Sequence, residues 1–308
     1  MTTVDSAAQR PDVARKGLLA RHPLVFFFII AYAGSWLVWM PLVLSERGTA
    51  FLPFNSPLLA AAFPVGIFLG PFLSAFAMTG ATEGRAGVGR LLRRFVLWRV
   101  GLRWYLFALL GVPALFVLSV IVLPGGLASF QGQGLASLAP LPLLSLFVYV
   151  FFLGGPLGEE PGRRGFALPR LQRLHGPLVG SLILGPLWAF WHLPIFWVPA
   201  WNFPPTLLNI VLYVISAISF TIVMTWVFNN TKGSLLIAVL MHASFNTTFL
   251  ILNMLFPAAI VTNYGSTVPS VIGYGAVALL VIALTRGRLG YQHYQQEEEE
   301  PDVATPRA

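Results

Sequence analysis

The sequence has no cysteine and very little charge. Without cysteine, the chain can form neither a disulfide nor a thiolate metal site. Only 10% of its 308 residues are charged, whereas a soluble globular domain carries about 25% charged residues. Hydrophobic residues make up 56% of the chain. The composition therefore predicts an integral membrane protein rather than a soluble one.

Most of the chain consists of long runs of apolar residues. A transmembrane helix needs about 20 apolar residues, and eight runs approach or exceed that length, so the sequence predicts an all-α, polytopic bundle of about eight spans. The first run is too long for a cleavable signal peptide, and no clear cleavage site follows it. Neither a repeat of solenoid length nor a convincing inverted repeat is visible. The predicted spans are 23–44, 57–79, 104–124, 141–158, 178–198, 206–228, 233–255 and 267–285.

The net charge of +8 invites a nucleic-acid interpretation, but the distribution of the basic residues favours membrane topology. All of the 19 basic residues except Arg47 fall on one side of the predicted bundle. The positive-inside rule then places both termini in the cytoplasm. A composition rich in Ala, Gly, Arg and Pro, with little Lys, indicates a bacterial source. We therefore expect a plasma-membrane protein that does not bind nucleic acid.

The two ends of the chain differ from the apolar middle. Residues 1–20 are polar, and residues 289–308 carry a run of four glutamates, so both ends are predicted to be disordered cytoplasmic segments. Residues 21–288 form one predicted membrane domain.

A few polar side chains interrupt the spans. Glu159 and Glu160 end the fourth span, His192 lies in the fifth, and His242 and Asn246 lie four residues apart in the seventh, on one helix face. Taken alone, each feature can be explained by a structural role: a histidine hydrogen-bonded to a nearby carbonyl, or a polar pair that holds two helices together. Together they match hydrolysis, which needs a base for water and donors for an oxyanion.

Two arginines follow the glutamates. Arg163 is four residues after Glu159, and Arg164 is four residues after Glu160. Topology signalling is sufficient to account for one of them, while an ion pair that orients a glutamate is the functional alternative. The sequence leaves open which arginine meets which glutamate.

These residues resemble the motifs of the CAAX protease and bacteriocin-processing (CPBP, or Abi) family of intramembrane endopeptidases. Its Glu-Glu-x-x-x-Arg motif matches Glu159, Glu160 and Arg164, and its His-x-x-x-Asn motif matches His242 and Asn246. Its Phe-x-x-x-His motif is matched with Trp188 in place of the aromatic Phe, and Arg163 stands where the family often has an aromatic residue. The resemblance covers roughly residues 140–255.

The resemblance implies cleavage of membrane-associated peptides or proteins, either lipidated CAAX-type substrates or bacteriocin-type peptides. Glu159 would activate water together with His192, with Glu160 in support. His242 and Asn246 would bind the oxyanion, and Arg164 would steady the glutamates.

The need for a metal is left open. Glu159, His192 and His242 could hold a zinc ion with one open position, which would make the enzyme a metalloprotease. However, no HExxH-type helix fixes their geometry.

The predicted depths of these residues differ. Glu159 lies at the cytoplasmic end of its span, whereas His192 and His242 lie deeper. A broken segment around residues 156–162 would reconcile them, as would a fifth helix extended through LPRLQRLHG, residues 168–176. We favour the extended helix, with a site that opens towards the cytoplasmic half.

Two non-proteolytic functions remain as alternatives. Intramembrane Glu and His also build the proton relays of transporters, and a scaffold, an immunity protein or an inactive relative could bind through the same cluster. The lack of a transporter-type repeat favours the endopeptidase.

Overall fold

The computed structural model describes residues 17–201, 203–259, 265 and 267–299. Within these ranges the chain is helical and forms no strand, which confirms the predicted all-α class. Helices suit a lipid environment because they satisfy their own backbone hydrogen bonds where water is absent.

Among the described residues, eight helices are long and apolar enough to cross a membrane, as predicted. The first and the eighth have the predicted bounds, whereas the second and the fourth continue beyond their predicted ends because their polar continuations stay helical. We name them α1 (Pro23–Leu44), α2 (Pro57–Phe95), α3 (Leu102–Ile121), α4 (Pro140–His175), α5 (Pro177–Trp197), α6 (Leu207–Asn230), α7 (Leu235–Leu255) and α8 (Thr267–Thr285).

Helix α4 is interrupted at Gly154 and Gly155. Gly155 has a φ of 111°, which a residue with a side chain rarely adopts, and Pro156 then begins a new helical stretch. A π-helical turn, Pro161–Ala167, follows the glutamates. The favoured assignment of residues 168–176 to the fifth helix is wrong, because Leu168–His175 ends α4 and the chain reverses at Gly176. An interruption of α4 does occur, at Gly154 and Gly155, just before the predicted broken segment of residues 156–162.

Small residues let the second half of α4 approach α2 closely. A Cβ atom at Gly162 would lie 2.7 Å from the carbonyl oxygen of Pro71, and one at Gly158 would overlap the side chain of Ile67. Glycines one turn apart bring helix backbones together in membranes, where packing drives association. This contact holds the glutamates, which lie between the two glycines, at a fixed position against α2.

The predicted disordered tail is helical over its first part. A ninth helix, α9 (Tyr291–Glu299), buries the ring of Tyr294 against Phe228 on α6, with 5.6 Å between the ring centroids. The Tyr294 hydroxyl lies 2.6 Å from Arg94 Nη2. Aromatic burial therefore outweighs the acidic composition in this part of the chain. Leu18–Arg21 is also a short helix, while residues 1–16 and 300–308 lie outside the described residues.

Replacing Gly162 with alanine should destabilise the folded protein, because the new methyl group meets a backbone carbonyl that cannot move away. Overpacking of this kind costs about 1–3 kcal/mol. We expect a lower thermal midpoint for Gly162→Ala in detergent. Gly89→Ala, on α2, is the matched control, since its Cβ meets nothing within 4 Å. Equal midpoints for the two variants would contradict the proposed close contact.

Candidate active site

Two carboxylates and two guanidinium groups are buried together on α4. Arg163 is hydrogen-bonded to Glu159, and Arg164 Nη1 lies 3.2 Å from Glu160 Oε1. No member of the cluster is more than 4% exposed. The interpretation of one arginine as a topology signal is therefore wrong: each lies inside the protein because it neutralises a carboxylate that lacks water.

His242, on α7, is held by the second glutamate. Its Nδ1 lies 2.9 Å from Glu160 Oε1, and its side chain is buried. Because a carboxylate oxygen accepts, the Nδ1–H group donates, and the neutral ring then carries its lone pair on Nε2. Glu160 thus links Arg164 on its own helix to a histidine on another helix.

His192 ends the regular part of α5 and faces the first glutamate. Its Nδ1 lies 3.0 Å from the Trp188 carbonyl oxygen, so this nitrogen donates and Nε2 is the acceptor of the neutral ring. Nε2 lies 4.0 Å from Glu159 Oε2. That separation is too long for a direct hydrogen bond and suits a bridging water.

The two positions that depart from the family pattern contact each other. The Arg163 guanidinium lies over the Trp188 ring, 3.6 Å from its centroid, in a cation–π arrangement. Trp188 Nε1 also donates to Glu159 Oε2 at 3.1 Å. A phenylalanine at position 188 would keep the ring but lose this donor. Both side chains therefore orient the Glu159 carboxylate.

Asn246 lies one turn after His242 but bonds elsewhere. Its Nδ2 donates to the Gly154 carbonyl oxygen at 3.0 Å, at the interruption of α4. The hydrogen bond ties α7 to the point where the glutamate-bearing half of α4 begins.

The predicted metal ligands do not converge in this arrangement. His242 contacts Glu160 rather than Glu159, and the partner of Glu159 is the cation Arg163. In the part of the chain that the structure describes, no group of three or more His, Cys, Asp or Glu side chains could hold a metal ion. The residues therefore do not fit a zinc site with three protein ligands.

Two aromatic residues that contact His192 could not be identified as site residues from the sequence. Trp201 stacks on the imidazole with ring centroids 5.5 Å apart, and Tyr213, on α6, lies edge-on at 5.6 Å. Aromatic residues are abundant in this chain, so sequence spacing could not single these two out. They fix the ring whose Nε2 faces Glu159.

A narrow cleft lies between α1 and α5 and reaches the buried cluster. Its walls include Phe28 and Tyr32 from α1 and Leu187 and Trp191 from α5, and Arg163 is its one charged lining residue among those described. The cleft has room for about one water-sized group, and its wall is apolar apart from Arg163.

Comparisons with known proteins agree with the motifs. Residues 140–248 match the family model described as type II CAAX prenyl endopeptidase, Rce1-like. A relative from Methanococcus maripaludis, named CAAX prenyl protease 2, is 22% identical over 235 residues, which cover 71% of this chain and 81% of the relative. The matched range contains every residue of the predicted site. Both comparisons support the resemblance stated from the sequence.

Removing Arg164 should destabilise the protein, because Glu160 would lose the guanidinium that pairs with it inside the protein. Breaking a buried pair costs about 3–5 kcal/mol. We expect Arg164→Met to lower the midpoint of chemical unfolding in detergent. Arg173→Met, an exposed position in the same segment, is the control and should leave the midpoint unchanged. A wild-type midpoint for Arg164→Met would contradict the burial of an ion pair.

Proposed function

We propose, from the resemblance to the CAAX protease and bacteriocin-processing family, that Glu159 and His192 activate the water of a membrane endopeptidase. The chain is a multi-pass, CAAX protease-like hydrolase. One observation carries the proposed mechanism: the acceptor nitrogen of His192 faces Glu159 Oε2 across 4.0 Å in a buried site. That gap suits a water held by two acceptors.

In the proposed reaction, Glu159 takes a proton from the water as the water oxygen attacks the substrate carbonyl carbon. His192 Nε2 accepts the second hydrogen bond of the water and so sets its direction of attack. When the C–N bond breaks, the proton passes from Glu159 to the leaving amine. Asn246 keeps its predicted role as an oxyanion donor through the second hydrogen of its amide. Arg164 and Glu160 position the His242 ring, whose predicted donor role would need a hydrogen on Nε2.

We further propose a membrane-associated, lipidated peptide or protein as substrate. The names of the family model and of the relative favour a CAAX-type substrate over a bacteriocin-type peptide. The charge distribution supports cytoplasmic termini, and the amino-acid composition supports a bacterial plasma membrane.

Glu159→Gln should lower the cleavage rate of a fluorogenic lipopeptide by about 1,000-fold, since positioned acid–base groups contribute about 100- to 10,000-fold. We expect large losses for His192→Ala and His242→Ala as well. Glu83→Gln is the control, because Glu83 pairs with Arg170 outside this cluster.

Cleavage by all three variants at the wild-type rate would contradict the endopeptidase assignment. Proton or solute flux in proteoliposomes, with no cleavage by the wild type, would support the transporter alternative instead.

Chelation should leave cleavage intact. The Arg163 guanidinium is paired with the Glu159 carboxylate, which a metal ion would need as a ligand. The three candidate ligands, Glu159, His192 and His242, do not converge on one point. We expect unchanged rates after dialysis against EDTA or phenanthroline. A lost activity that zinc alone restores would contradict this prediction.

A further inference from the structure

We propose that Arg163 is a further catalytic residue, which stabilises the oxyanion of the tetrahedral intermediate. This proposal rests on the proposed function, because it assigns a role within that hydrolysis. Arg163 occupies the last unspecified position of the Glu-Glu-x-x-x-Arg motif, where the family often has an aromatic residue.

The first observation is that some N–H groups of the Arg163 guanidinium have no acceptor among the described residues. Its Nη2 is bonded to Glu159, but Nε and Nη1 are buried without a hydrogen-bond partner among the described residues. A buried donor left without a partner is destabilising, and more so when it is charged. Groups of this kind call for an acceptor that arrives with the substrate.

The second observation is the place of the guanidinium. Arg163 lines the cleft between α1 and α5, and the Trp188 ring supports one of its faces. A substrate carbonyl oxygen placed beside this guanidinium would also lie beside the Glu159 carboxylate, which Arg163 Nη2 contacts. Preorganised donors beside the attacking base are what oxyanion stabilisation requires.

The net charge of the buried cluster also favours this role for Arg163. Before attack, two carboxylates face two guanidinium groups, so the cluster is neutral. When Glu159 accepts the proton of the water, its negative charge disappears and one appears on the former carbonyl oxygen. Arg163 can then pair with the oxyanion in place of Glu159, and the buried site stays neutral throughout. A low-dielectric site strongly favours such a balance.

The predicted oxyanion donors are also partly committed. The neutral His242 ring donates through Nδ1 to Glu160, so its Nε2 has no hydrogen to offer. Asn246 already donates through Nδ2 to Gly154. Arg163, by contrast, has two donors beside the reacting groups, Nε and Nη1, that bond to no other described residue.

The test measures binding of a peptide phosphonate, an anionic tetrahedral mimic, to the full-length protein in detergent. In Glu159→Gln the neutral amide stands for the protonated glutamate, so this variant should bind the phosphonate more tightly than wild type. The double variant Glu159→Gln/Arg163→Met should lose about 100-fold of that affinity. The double variant also removes both charges of the Arg163–Glu159 ion pair. It therefore leaves no unpaired buried charge that would prevent folding.

Two comparisons make the test specific. Affinity for the corresponding uncleaved peptide should be similar in Glu159→Gln and in the double variant. Glu159→Gln/Arg173→Met should bind the phosphonate like Glu159→Gln, because Arg173 is exposed on the surface. Arg163→Lys, which keeps the charge and loses the planar fork, should lower kcat with little change in KM.

Phosphonate affinity that survives loss of Arg163, or the absence of any preference for the phosphonate, would overturn the proposal. Failure of the proposed function is a separate outcome, because it would appear as wild-type protein that cleaves no peptide.

Discussion

The pairing of two carboxylates with two guanidinium groups inside a membrane helix bundle is the constraint on which the site depends. Moving a single charge out of water costs several kcal/mol even after the protein relaxes. Glu159 and Glu160 are nearly inaccessible to solvent, and their partners lie one turn away on the same helix. The cluster is therefore neutral as a whole, and each carboxylate has a fixed orientation.

Everything around the cluster follows from where α4 places it. The interruption at Gly154 and Gly155 ends the first half of α4, and the close contact through Gly162 holds the second half against α2. Helices α5 and α7 then each present one histidine, His192 towards Glu159 and His242 towards Glu160. Asn246 bonds to the interruption itself, so the backbone irregularity and the site form one unit.

Much of this arrangement could be predicted from local sequence. The eight spans could be found because an apolar run of sufficient length needs no knowledge of its neighbours. The His242 and Asn246 face follows from helical periodicity alone. The motif residues could be assigned to one site because ionisable side chains are costly within apolar spans and are usually placed there for a function.

Other features depend on contacts between distant residues and could not be predicted. Leu168–His175 has the composition of an exposed helix, but Gln172 accepts a hydrogen bond from Asn229, 57 residues away. The donor role of Trp188 depends on Glu159, which lies 29 residues earlier. In the acidic tail, Tyr294 finds an aromatic partner on α6. In each case, tertiary packing outweighs local composition.

The central claim is that Glu159 acts as a base on water and does not itself attack the substrate. A single turnover in water enriched in oxygen-18 tests it directly, with mass spectrometry of both the product and the peptide that contains Glu159. We expect the label in the new carboxyl group of the product and none in Glu159. In a covalent route, Glu159 would give one of its own carboxylate oxygens to the product and take up the labelled oxygen from water. Label found in Glu159, with an unlabelled product, would therefore contradict the account.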